Sequence, residues 1–145
     1  MSRSPSGRRP QNRSRTIWLM GGLVTLFLGL WFAVAASGGG ERHPTARADI
    51  DHASHIVPAS RYEGYPRVAR TYTMVAAVPE VVDGLYCYCE CAEHSGHYSL
   101  LDCFASDHGA RCDICLSEAT IAYQMTMAGE SLDAVRKEID SQFRS

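Results

Sequence analysis

Apolar residues along this chain change their spacing twice, which divides the chain into three parts. Residues 17–36 form an apolar run without a charge, and a helix of that length covers roughly 30 Å of hydrocarbon. Residues 37–63 have no apolar period and predict a flexible linker. From residue 64 onward apolar residues recur at helical spacing, which predicts a domain over residues 64–145.

Proline, serine and glycine mark the ends of the helices predicted in this domain. Proline suits the first turn of a helix, serine can cap one, and glycine commonly ends one. No segment alternates with period two for long enough to form a sheet. The predicted fold class is therefore all-α, with four or five short helices after the membrane helix and linker. The predicted helices begin at Pro66, at Pro79, after a capping box formed by Ser99 and Asp102, at Asp113, and after Ser131.

Charge is distributed unevenly around the apolar run. The net charge is −2, but residues 1–36 contain five arginines and no acid, whereas the remainder has nine basic and sixteen acidic residues. The positive-inside rule makes residues 1–16 a cytoplasmic tail and residues 17–36 a signal anchor that crosses the cell membrane once. The helical domain is then extracytoplasmic. A cleavable signal peptide is the alternative, and it also exports the domain.

The acidic domain argues against a nucleic-acid partner, because phosphate binding requires clustered lysine and arginine. The partner expected from the sequence is the membrane, contacted by the N-terminal helix, and an unidentified envelope protein is a second candidate. The apolar stripes and caps all lie after residue 61, so residues 61–145 are expected to fold without the anchor.

Six cysteines lie within 29 residues of this domain. Free cysteine is uncommon in exported proteins, so this density predicts disulfides, metal thiolates or a redox pair. In an extended segment the first three would project to one side, about 6.5 to 7 Å apart and out of reach of one another. We therefore expect them to converge with the other three in one cluster. The cysteines are Cys87, Cys89 and Cys91 in a C-x-C-x-C triplet, the single Cys103, and Cys112 and Cys115 in a C-x-x-C pair.

Three histidines accompany the cysteines: His94, His97 and His108. Sulfur with imidazole is a ligand set that suits Cu(I) or Zn(II) and not calcium or magnesium. The leading hypothesis is a membrane-anchored protein that binds a soft metal for storage, delivery or detoxification. All nine residues are candidate ligands, Cu(I) is favoured, and Zn(II) is the alternative. Two further histidines, His52 and His55, lie in the predicted linker and are expected to be solvated.

Two other functions use the same cysteines. If all six form disulfides, the domain holds no metal and serves as a stapled interaction module in the envelope. Alternatively, Cys112 and Cys115 act as an exported thiol-disulfide oxidoreductase. Otherwise no enzyme is predicted, because the sequence shows no phosphate loop and no nucleophile and base outside the cysteines.

From about Pro79 to Phe143 the chain resembles a bacterial family named for its PCYCGC motif. The resemblance implies an exported, often lipid-anchored protein whose activity is not established. Two positions depart from the motif, since Tyr86 replaces the proline and Glu90 the glycine. No cysteine precedes Cys87, so the membrane helix is expected in place of the lipid anchor. The resemblance rests on residues 87–91, Gly96 and His97, residues 99–104, residues 108–110, Cys112 to Cys115, Glu118 and Ala119, and Gly129 with the helix through Arg136, Ile139 and Asp140.

Overall fold

The computed structural model describes residues 42–144 of the 145-residue chain, and these residues belong to one compact unit. Their regular structure is five α-helices and three short 3-10 helices, with no β-strand within the described range. The prediction of an all-helical domain is confirmed for this part of the chain. The α-helices are α1 (Pro66–Ala77), α2 (Pro79–Asp83), α3 (Cys91–Ser95), α4 (Asp113–Met127) and α5 (Leu132–Phe143), and the 3-10 helices span Ala59–Tyr62, Leu100–Phe104 and Gly109–Arg111.

The N-terminal predictions fall outside this range. The basic tail over residues 1–16 and the membrane helix over residues 17–36 precede the described residues. Between residues 42 and 144, no helix is both long enough and apolar enough to cross a bilayer.

Most helix ends follow the local signals in the sequence. Helices α1 and α2 begin at Pro66 and Pro79, where the missing N–H of proline costs no helical hydrogen bond. Helix α2 ends at Gly84, whose N–H donates to the carbonyl of Val81 at 3.0 Å. At the start of α5, the hydroxyl of Ser131 accepts from the N–H of Ala134 at 3.2 Å. These predicted ends are confirmed.

The capping box predicted at Ser99 is wrong. A short helix does follow, but it is the 3-10 helix Leu100–Phe104, and the Ser99 side chain makes no capping hydrogen bond to it. The Ser99 hydroxyl instead donates to Oδ1 of the buried Asp83 at 2.6 Å. Asp83 is completely buried, and a buried carboxylate requires hydrogen-bond donors, which explains the different partner.

Helix α4 lies at the centre of the domain and packs against α1 and α5. Apolar residues lie on two faces of α4, which predicts a mostly buried helix, but Ile114 is 37% and Met127 is 63% exposed. The buried side chains come from one face only. They are Cys115, Leu116, Glu118, Ala119 and Ala122.

The segment expected to be a linker packs onto the helices from residue 42 onward. The side chains of Ile56 and Tyr62 are buried, and the N–H of Val57 donates to the carbonyl of Phe104 at 3.0 Å. The aromatic ring of Tyr62 lies 4.5 Å from that of Tyr72 in the core. The structure thus differs from the predicted domain boundary at residue 64.

Polar contacts hold this segment more firmly than its sequence pattern indicates. Nη2 of Arg47 lies 2.6 Å from Oδ1 of Asp83 and 2.7 Å from Oδ1 of Asp102. His52 and His55, expected to be solvated, contact the same carboxylates at 3.2 and 2.8 Å. Burial alone would raise the pKa of Asp83, but hydrogen bonds from Arg47 and a neighbouring hydroxyl lower that pKa to about 2.

Candidate metal centre

The cysteine triplet spans the tight turn that follows α2 and ends at Cys91, the first residue of α3. The N–H of Glu90 donates to the carbonyl of Cys87 at 3.2 Å. Glu90 has a φ of +60°, and no other non-glycine residue in the described part of the chain has a positive φ. The turn brings the Sγ atoms of Cys87 and Cys89 to 3.3 Å. The extended geometry predicted for the triplet is therefore wrong, because the backbone bends and neighbouring sulfurs meet.

Two further helices bring their sulfurs to this turn. Cys103 lies on the 3-10 helix Leu100–Phe104, and Cys115 lies in the first turn of α4. The Sγ atoms of Cys91 and Cys103 are 3.3 Å apart. Cys115 Sγ is 3.4 Å from that of Cys87 and 3.6 Å from that of Cys89. Five of the six sulfurs predicted to converge thus do so, and that of Cys112 lies outside the sets described below.

No pair of the six cysteines is at disulfide distance, and the shortest separations between sulfurs are 3.3 Å. A disulfide requires about 2.05 Å between sulfurs. Instead, the ligand atoms form three overlapping sets of four, and within each set all atoms lie within 4.8 Å of one another. The cluster can therefore hold a metal ion. The sets are Cys87, Cys89, Cys91 and Cys103; Cys89, Cys103, His108 and Cys115; and Cys91, His97, Cys103 and His108.

Two of the three predicted histidines face the sulfurs. Nδ1 of His97 is 3.3 Å from Sγ of Cys103, and Nε2 of His108 is 3.7 Å from Sγ of Cys89. The third, His94, is exposed and stacks on His108, with 6.1 Å between ring centroids. Its ring nitrogens contact a serine hydroxyl and a backbone carbonyl. His94 belongs to none of the sets.

Cys112 also stands apart from the sets. It is the N-cap residue of α4, and its sulfur accepts from the N–H of Cys115 at 3.4 Å. Its side chain is partly exposed. Of the nine predicted ligands, the structure gathers seven in the overlapping sets and leaves Cys112 and His94 beside them.

The thiols of the cluster differ in how readily they ionise. Hydrogen bonds from neighbouring thiols, foremost that of Cys103, lower the pKa of Cys91 and of Cys115. Burial raises the pKa of Cys89 and of Cys112. Because metals bind thiolates, a soft ion that enters this cluster must displace protons from the remaining thiols.

Sequence reasoning missed a carboxylate beneath the cluster. Glu118 is completely buried, and its Oε1 accepts from the N–H of Tyr88 at 2.8 Å. Its Oε2 has no hydrogen-bond partner, and burial raises its pKa to about 8. An acid three residues after Cys115, between Leu116 and Ala119 on a buried face, is the sequence signal that could have identified it.

A buried histidine supports the start of the triplet. Nδ1 of His43 accepts from the N–H of Tyr86 at 3.0 Å, and Nε2 lies 2.9 Å from Oδ1 of Asp140. Burial lowers the pKa of His43, which is consistent with a neutral ring that accepts at one nitrogen and donates at the other.

A comparison with known families gives a match over nearly the same residues as the described domain. A family model described as "Protein of unknown function with PCYCGC motif" matches residues 40–145. The chain belongs to the PCYCGC family. The match begins near the point where the chain joins the domain, well before the cysteines that carry the resemblance. No curated protein and no solved structure matches the chain.

The two departures from the PCYCGC motif leave every sulfur in place. Tyr86 stands at the proline position, and its N–H is the one that donates to His43. Glu90 stands at the glycine position and keeps a left-handed conformation, which glycine adopts at much lower cost.

Proposed function

We propose that this chain is a membrane-tethered member of the PCYCGC family that binds soft metal ions, with Cu(I) the preferred ion, through clustered thiolates. The observation that carries the proposal is the convergence of five sulfurs and two imidazole nitrogens in three overlapping sets. Storage, delivery or detoxification of the ion in the cell envelope is the role that such a protein serves.

The composition of the cluster favours Cu(I) over Zn(II). Thiolates outnumber imidazoles by five to two in the sets, and soft sulfur ligands select the softer ion. A single tetrahedral Zn(II) uses four ligands and would leave three donors in the cluster unused. Cu(I) accepts bridging thiolates, so Cys103, which belongs to all three sets, can serve more than one ion. We therefore expect more than one Cu(I) per chain.

The membrane tether in this proposal rests on the sequence of residues 17–36 and on the arginines before it. It is tested by fractionation of cells that express the full chain, followed by protease treatment of spheroplasts. A domain that is retained in the membrane fraction and cleaved from outside supports the tether. A domain released to the medium or periplasm supports the cleaved signal peptide.

The central experiment is elemental analysis combined with a thiol count on the full chain, purified without oxygen in detergent. Reduced protein should bind Cu(I) more tightly than Zn(II) in competition with a chromophoric chelator, and affinity should fall as pH is lowered, because protons compete for the thiolates. Protein that holds no metal, has no titratable thiols and unfolds only after reduction would establish the disulfide-stapled module instead.

Two substitutions rank the ligands. Cys103→Ser removes the sulfur shared by all three sets and should lower Cu(I) affinity by more than the roughly 10- to 100-fold typical of losing an outer hydrogen-bond partner. His94→Ala is the matched control, because its ring lies next to His108 but outside the sets. Equal losses in the two variants would contradict the proposed ligand set.

A further inference from the structure

The two partly exposed thiols of the cluster share one open pocket. Cys87, Cys91, Cys103 and Cys115 are buried, whereas Cys89 and Cys112 are not fully covered. Both line a pocket of about 830 Å³, together with the rings of His94 and His108. Solvent therefore reaches the sulfur cluster through this pocket.

The pocket has the opposite charge balance to the rest of the domain. Residues 42–144 contain fifteen acidic and nine basic residues. The lining of the pocket contains two arginines, Arg61 and Arg111, and one acid, Asp107. Asp107 lies 3.0 Å from the first guanidinium and 3.9 Å from the second. One carboxylate between two arginines leaves a net positive charge at the entrance.

The two thiols in the pocket stand in different relations to the cluster. Cys89 belongs to two of the sets of four ligand atoms, and Cys112 belongs to none. Cys112 is nevertheless tied to the cluster, because its sulfur accepts from the N–H of Cys115. Cys112 is therefore placed to meet an incoming ion without being required to hold it.

We propose that this pocket receives Cu(I) as a complex with a small anionic thiol, and that Cys112 and then Cys89 take the ion by ligand exchange. The inference rests on the proposed function and adds the form in which the metal arrives. The volume matches that of small-molecule sites. A bis-thiolate complex of Cu(I) is an anion, so the positive entrance attracts it.

The exchange involves no redox change. A bond forms between copper and Sγ of Cys112, one copper–sulfur bond to the carrier breaks, and the proton of the Cys112 thiol leaves on the released carrier thiol. Cys89 displaces the second carrier thiol in the same way. Copper remains Cu(I) throughout, and each step releases one neutral thiol group on the carrier.

The test follows the rate of Cu(I) uptake by the reduced full chain in stopped flow at low salt. Two probes are compared: the Cu(I) complex of glutathione, which is anionic, and that of cysteamine, which carries ammonium groups. Arg111→Glu should slow uptake from glutathione by about 3- to 10-fold and should not slow uptake from cysteamine. Lys137→Glu makes the same charge change at an exposed position on α5 and should alter neither rate.

A second variant tests the role of Cys112. Cys112→Ser should slow uptake from both carriers while the number of Cu(I) ions bound at equilibrium stays the same. The inference is overturned if Arg111→Glu and Lys137→Glu behave alike, or if Cys112→Ser lowers the number of ions without slowing uptake. Either result leaves equilibrium Cu(I) binding by the unmodified chain intact, so it does not overturn the proposed function.

Discussion

Replacing Glu90 with glycine should stabilise the domain. Glu90 has a φ of +60° and a ψ of +25° at the residue before α3, a conformation that costs an L-residue about 1 to 2 kcal/mol. Glycine avoids that cost but loses about 0.5 to 1 kcal/mol more conformational entropy on folding. The net gain is about 0.5 to 1 kcal/mol, which corresponds to a rise in Tm of roughly 2 to 6 °C for a domain of this size.

The measurement is thermal unfolding of the reduced, metal-free chain, followed by circular dichroism. Glu90→Ala is the matched control, because it removes the same carboxylate near the thiols but keeps a side chain that disfavours positive φ. Gly96, at the end of α3, has a similar φ of +69° and open space around it. Gly96→Ala should therefore lower Tm by a comparable amount.

Two outcomes would refute this reasoning. If Glu90→Ala raises Tm as much as Glu90→Gly, the gain comes from removing a negative charge beside the thiolates and not from the backbone. If neither variant changes Tm, the turn at Glu90 does not limit the stability of the fold.

Three further predictions concern the rest of the domain. A fragment of residues 61–145 should be less stable than residues 42–145 by on the order of 3 kcal/mol, because it lacks the ion pair of Arg47 with Asp83 and the buried side chain of Ile56; urea unfolding of the two fragments checks this. The pKa of Asp83 is lower in the folded protein than in the unfolded chain, where it is near 4. Ionised Asp83 therefore stabilises the fold above pH 4, and this stabilisation, on the order of 2 kcal/mol, is lost as pH falls toward 2. Asp83→Asn should flatten the stability profile over pH 2 to 4 in acid titration. Gly109→Ala should destabilise the domain by about 1 to 3 kcal/mol in thermal unfolding, because the new Cβ would lie 2.9 Å from the carbonyl of Cys103.

The parts of the fold that sequence predicts well are those set by neighbouring residues. Pro66, Pro79 and Ser131 act within one helical turn, and the structure begins helices α1, α2 and α5 at these positions. The convergence of the cysteines is also predictable, because six cysteines within 29 residues are expected to pair with one another or to share a metal. In contrast, α3 is missing from the prediction, since it begins directly after a non-glycine residue in a left-handed conformation.

Long-range polar contacts are the parts that sequence does not reveal. Residues 42–63 lack an apolar period because hydrogen bonds and ion pairs account for much of their attachment to the domain. Arg47 reaches a carboxylate 36 residues away, and nothing near it in sequence indicates which acid it meets. Glu118 was missed because a glutamate on a helix is ordinarily solvated. The prediction that neighbouring sulfurs of the triplet cannot meet was wrong because it assumed an extended backbone.

These contacts account for the position of the sulfurs as well as for the fold. Asp83 ends α2, and the triplet follows four residues later; Asp102 lies next to Cys103. The guanidinium of Arg47 binds both carboxylates, so one side chain ties together the two segments whose sulfurs meet. Loss of Arg47 would free these segments to move apart, so if the cluster binds Cu(I) as proposed, Arg47→Ala should lower Cu(I) affinity in chelator competition without removing a ligand. The region matched by the family model starts at residue 40 and therefore includes the side chain that links these two segments.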